Sequence, residues 1–195
     1  MNETKRSQRT AAYVAALLFA VHLITYFIPA IRDVTTSSSV MGAEALALLA
    51  VAEHVILFPV IAALPAPKWA RAVGYGWLVL DIATDIMQLN GVPKLTYLAL
   101  RYGANVAAAL WIAPASWQEK GVLRVIGVIV ALDLAVYSFV AFIPLTFLIL
   151  VPSLVLLPLW LFLVGRRFTR EDNLTQRPGL MQLERATPAD LEEGR

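Results

Sequence analysis

Two acidic residues one helical turn apart, Asp81 and Asp85, stand inside an apolar run, and few folds can house such a pair. The stretch from Gly76 to Asn105 reads GWLVLDIATDIMQLNGVPKLTYLALRYGAN, two runs of membrane-crossing length hinged at Asn90-Gly91-Val92-Pro93. Asp81, Thr84, Asp85 and Gln88 recur at helical spacing, so one face of the first run carries all four. Arg101 and Asn105 repeat the one-turn spacing on the second run. A charge at the bilayer centre costs about 2.5–3.5 kcal/mol on insertion scales, so such groups face a bundle interior and a partner. The pattern is that of a membrane protein with a polar heart.

The rest of the composition agrees. Of 195 residues, 59% are hydrophobic and only 15% are charged, and the mean hydropathy is +0.69, values that fit a polytopic membrane protein and not a soluble domain. No cysteine is present, which excludes disulfides, thiolate metal sites and cysteine catalysis. The basic residues are scattered over short loops without interleaved aromatics, so nucleic acid is not an expected partner.

Six spans are predicted, in an all-α bundle: 11–31, 42–64, 71–89, 94–112, 122–142 and 145–164. They form a transmembrane domain over 11–165, flanked by a polar segment 1–10 and a charged, proline-containing tail 166–195 that reads as mostly disordered. The first run is longer than a signal peptide's apolar core and has bulky Ile28 and Ile31 around Pro29-Ala30, so it reads as a retained helix. Pro65-Ala66-Pro67, Asn90-Gly91, Pro114 and Pro144 punctuate the chain. Both termini, the 65–71 loop and the 114–124 loop share thirteen Lys and Arg residues, against Arg32 and Lys94 in the opposite loops. The positive-inside rule then sets both termini in the cytoplasm, with the chain in a plasma or inner membrane.

Polar groups from five spans fall in one slab, from the midplane to the outer half. Glu53, Asp81 and Asp133 lie near mid-span, and His22, Asp85, Arg101 and Tyr137 about one turn further out. Distances from the hinge set Asp85 opposite Arg101, and Asp81 opposite Asn105, which leaves Asp81 as the acid without a basic partner. Four carboxylates face one arginine and two histidines. Fully ionised, they would leave an uncompensated charge of about −3, so protons, a cation or water must enter. His54 points about 100° from Glu53 on a helix, and Glu53 is the one expected to face the site.

Asp81, Asp85, Glu53 and Asp133 are therefore the candidate proton- or cation-handling residues, with Arg101, Asn105, Tyr137 and His22 as candidate substrate contacts. Asp81, Asp85, His22 and His54 are the candidate ligands if a divalent cation binds, although nothing in the sequence requires a cofactor. No span contains lysine, which excludes a retinal-type Schiff base, and no H-E-x-x-H, G-x-S-x-G, P-loop or Rossmann fingerprint is present. Three readings stay open. One is a small proton- or cation-coupled transporter, for which a homodimer is the expected assembly. The second is an intramembrane enzyme acting on a lipid or isoprenoid by acid/base or metal-assisted chemistry. The third is a non-catalytic membrane partner or sensor.

Overall fold

Proline and glycine set the helix ends, as their chemistry requires. In the computed structural model, which describes residues 3–28, 40–140 and 147–175, Pro67 and Pro93 stand at the N-caps of two long helices with φ near −55°. Between those helices the chain turns through a left-handed Gly91 (φ 69°). Its N–H donates to the Gln88 carbonyl at 3.1 Å and that of Val92 to Met87 at 3.0 Å, the bond pair of a Schellman cap. Asn90 adds its side-chain amide to the Ile86 carbonyl at 2.8 Å. The hairpin expected at 90–93 is thus closed by its own backbone.

Seven helices are present among the described residues: α1 (Glu3–Phe27), α2 (Val40–Val55), α3 (Phe58–Ala63), α4 (Lys68–Leu89), α5 (Lys94–Trp117), α6 (Gly121–Val140) and α7 (Phe147–Thr175). Four segments, Glu3–Thr25, Glu44–Ala63, Gly121–Val140 and Ile149–Asp172, are long and apolar enough to cross a membrane. α4 and α5 have the length but carry Asp81, Asp85, Arg101 and Asn105, which lowers their apolarity.

The predicted helix 42–64 is two helices. Pro59 has no N–H to offer the Val55 carbonyl, and Leu57 bonds three residues back to His54 at 3.1 Å, so the chain breaks between α2 and α3. α1 starts at Glu3, inside the segment read as a polar flank of the first span. α5 runs through Pro114 to Trp117, and α7 runs to Thr175, so the first part of the expected tail is helix. The 32–40 loop up to residue 39, the turn at Pro144 and the tail from 176 onward lie outside the described residues.

The helices close a ring. α1 packs on α2, α2 on α4, and α4, α5, α6 and α7 follow in order, with α7 returning to α1. Tyr13 on α1 meets Thr169 on α7 (hydroxyl oxygens 3.2 Å apart), and Arg9 meets Asp172 at 3.7 Å, so α1 begins and α7 ends at the same end of the bundle. At that end Arg167 binds Glu119 at 2.9 Å and Glu171 at 3.1 Å. Leu17, Ile24, Val79, Leu132 and Phe139 stand exposed on the outside of the ring, as a lipid-facing surface requires.

Three tryptophans fill the interior. Trp77 stacks on Trp111 with centroids 5.7 Å apart, and Trp160 meets Trp111 edge-on at 5.7 Å. Small residues admit them: a Cβ on Gly74 would lie 2.7 Å from Trp111, and one on Gly127 would lie 2.5 Å from the Trp160 ring nitrogen.

A titratable cavity inside the bundle

On the side of the tryptophan layer away from the start of α1 and the end of α7 lies a cavity of about 250 Å³. α1 brings Phe19, His22 and Leu23 to its wall, α2 brings Glu53 and His54, and α4 brings Trp77 and Asp81. α5 contributes Arg101, Tyr102 and Asn105, α6 contributes Leu134 and Tyr137, and α7 adds only leucines, Leu150, Leu154 and Leu157. One half of the wall is thus titratable and the other aliphatic. Trp77 in the wall stacks on Trp111, which meets Trp160, and both of these are fully buried.

Each acid of the cluster has a partner. Arg101 donates from Nη2 to Asp85 and, through Nε and Nη2, to the Thr84 hydroxyl at 3.2 and 2.9 Å. The Thr84 hydroxyl in turn donates to the Asp81 backbone carbonyl at 2.8 Å, which holds its oxygen toward the guanidinium. The hairpin register therefore does set Arg101 against Asp85.

Asp81 is not the unpartnered acid that the hinge distances suggest. His54 Nε2 lies 3.1 Å from its Oδ2, and Trp77, one turn earlier on the same helix, donates its ring N–H to that oxygen at 2.5 Å. His54 Nδ1 is 2.7 Å from the Ala50 carbonyl, which can only accept, so Nδ1 carries a hydrogen. One further proton must then sit in the His54–Asp81 contact, as imidazolium with carboxylate or as imidazole with carboxylic acid. Either way the pair is neutral. Phe19 and Trp77 hold the imidazole between their rings, with centroids 5.6 and 5.8 Å away.

Glu53 and His54 both face inward, although they stand about 100° apart. α2 lies between α1 and α4, so Glu53 turns to His22 of α1 (Nδ1 to Oε1, 2.9 Å) while His54 turns to α4. Glu53 is 2% exposed, and its second oxygen has no hydrogen-bond partner. Asp81 Oδ1 is in the same condition. His22 keeps 30% of its side chain exposed.

Other expected members lie elsewhere. Asp133 accepts the Ser153 backbone N–H at 2.8 Å, beside Pro152, and does not reach the cavity. Its role is to satisfy a helix at a proline. Gln88 and Glu44 are exposed, and Ser138 bonds back to Leu134 at 2.8 Å. The four metal candidates are not assembled: His22 lies with Glu53, His54 spends Nδ1 on Ala50, and Arg101 occupies Asp85. Among the described residues no group of three or more His, Asp and Glu side chains is arranged to hold a metal ion. Trp77 was legible as the residue one turn before Asp81, but its indole N–H has no signature in a hydropathy pattern. No family model, curated protein or solved structure matches this chain.

Proposed function

We propose that the protein is a membrane carrier that moves a small amphipathic solute through the central cavity in exchange with protons. In this proposal α1, the α2–α3 pair, α4, α5, α6 and α7 make six spans, with both termini in the cytoplasm of a plasma or inner membrane. The observation that carries the reading is a helix break beside the titratable cluster and an intrahelical proline on the wall opposite it. The α2–α3 break follows directly on Glu53 and His54, and Pro152 lies between Leu150 and Leu154 of the opposite wall. Interrupted helices around a polar site near the membrane midplane are how carriers combine solute binding with movement of the wall. The Val55 carbonyl freed by Pro59 adds an acceptor at the break. The tryptophan layer supplies the closed side that alternating access needs.

A second reading has one observation of its own. The His54–Asp81 contact, holding a proton against an aliphatic wall, is also an acid/base device for a lipid or isoprenoid substrate.

Liposomes containing the purified protein, an internal pH dye and an imposed pH gradient test the proposal. Small amphiphiles added one at a time should dissipate the gradient faster than in protein-free liposomes, and Asp81→Asn should abolish the difference. If no solute separates the two kinds of liposome, the carrier reading fails. Chemical conversion of an added solute would favour the enzyme.

A further inference from the structure

The charge inventory of the cavity says which solute it takes. Asp85 is neutralised by Arg101, and Asp81 with His54 is neutral wherever their shared proton sits. Among the described residues, the basic partner of Glu53 is His22, which keeps 30% of its side chain exposed. With His22 neutral, the cluster carries one net negative charge, and it lies at Glu53.

We infer that the cavity binds a lipophilic ammonium ion, its head on Glu53 and Asp81 and its tail against the α7 leucines, one-for-one in exchange with the proton shared by His22 and Glu53. The inference rests on the cavity being the solute site of the carrier. Glu53 Oε2 and Asp81 Oδ1 are buried acceptors without partners, both on residues that line the cavity, and an ammonium has N–H groups for both. The rings of Phe19 and Trp77 on the same wall suit a cation further. An anion at the Arg101 guanidinium would share the cavity with the Glu53 charge, which repels it. A neutral solute would leave the Glu53 charge uncompensated in a low-dielectric site.

The exchange balances. The ammonium enters with one positive charge. One N–H or O–H bond of the His22–Glu53 pair breaks, and its proton leaves by way of His22. The remaining groups around Glu53 do not supply that proton. His54 and Asp81 keep theirs between them, Asp85 is held by Arg101, Tyr102 and Tyr137 meet each other edge-on, and the α7 residues of the wall are leucines.

Wild-type protein in phosphatidylcholine nanodiscs, titrated calorimetrically with three molecules of one shape, tests this directly. The probes are 1-aminoadamantane, 1-adamantanol and 1-adamantanecarboxylate, with empty nanodiscs as the blank. An alkyl ammonium resembles lysine, with a pKa of about 10.4, so it stays charged from about pH 5.5 to 8. The ammonium should bind at least about tenfold tighter than the alcohol, and the carboxylate weakest of the three. Buffers of different ionisation enthalpy should show one proton released per ammonium on the acid side of that range, with affinity there falling about tenfold per pH unit. Glu53→Gln should end proton release and bring the ammonium down to the alcohol. If that variant does not fold, the three wild-type titrations and the proton count decide. Equal binding of alcohol and ammonium, tighter binding of the carboxylate, no ammonium binding, or ammonium binding without proton release at any pH would each overturn the inference. Failure of the carrier reading looks different: ammonium binding with proton release in nanodiscs, but no solute-dependent proton movement in liposomes.

Discussion

Replacing Arg101 with alanine should cost more stability than replacing it together with its partner. Asp85 is 1% exposed, and without the guanidinium its nearest basic atom is His54 Nδ1 at 3.7 Å, already engaged with Ala50. Stranding one member of a buried pair costs roughly 3–5 kcal/mol. Arg101, however, keeps 32% of its side chain exposed, and water entering its space solvates part of the bare carboxylate, which reduces the figure to roughly 2–3 kcal/mol. At about 2–4 °C per kcal/mol for a chain of this size, the single variant should melt about 4–12 °C below wild type. Asp85→Asn in the same background removes the stranded charge and should recover most of that loss. Thermal unfolding in detergent, followed by intrinsic tryptophan fluorescence for wild type, both single variants and the double variant, gives the full cycle. A double variant no more stable than Arg101→Ala would show that burial of an unpaired Asp85 is not the source of the loss.

Other expectations follow from the packing, the chain ends and one buried glutamate. Gly127→Ala places a Cβ 1.9 Å from the Ser116 hydroxyl and should cost about 1–3 kcal/mol, whereas Gly103→Ala, with open space at that point, should be neutral or stabilising; thermal unfolding compares them. Trp77→Phe keeps the stack on Trp111 but removes the N–H that Asp81 accepts, for a loss of about 1.5–3 kcal/mol in the same assay; an unchanged melting temperature would show the bond to be worthless. Burial pushes the Glu119 carboxyl above the ordinary glutamate value of about 4.3, and Arg167 only partly opposes it. The folded protein then holds that proton more tightly, so this stabilisation is full below about pH 4.3 and is lost as pH rises through the raised folded-state value. Wild type should therefore lose stability relative to Glu119→Gln on that rise, and a relative gain would refute the sign. Reporter fusions at the two termini should both read as cytoplasmic, since α1 begins and α7 ends at one basic end of the bundle.

What the sequence revealed depended on how local the governing physics is. The 90–93 turn and the register that sets Arg101 against Asp85 follow from residues adjacent in sequence, and hinge counting found both. The α2–α3 break is equally local, since Pro59 cannot donate to Val55, but the even hydropathy of 42–64 masked it. The partners of Asp81 and Glu53 depend on which helices flank α2, a property of the ring, and a single helical wheel could offer only one inward face. Asp133 read as a site residue because it is an acid in mid-span, yet its demand comes from Pro152, a residue on another helix.

The closure of α7 on α1 also orders the making of the protein. Tyr13 and Thr169 are 156 residues apart, so the contact that completes the ring becomes available only as the last helix is synthesised. The charge pairs do not wait for it. His54, Asp81, Asp85 and Arg101 belong to α2, α4 and α5, and Glu53 has His22 from α1, so each acid meets its partner among segments already made. The leucines that turn this cluster into a cavity arrive last. A growing chain therefore pairs the acids and bases of the cavity before it has the cavity's aliphatic wall, whereas Asp133 waits for the Ser153 N–H of α7.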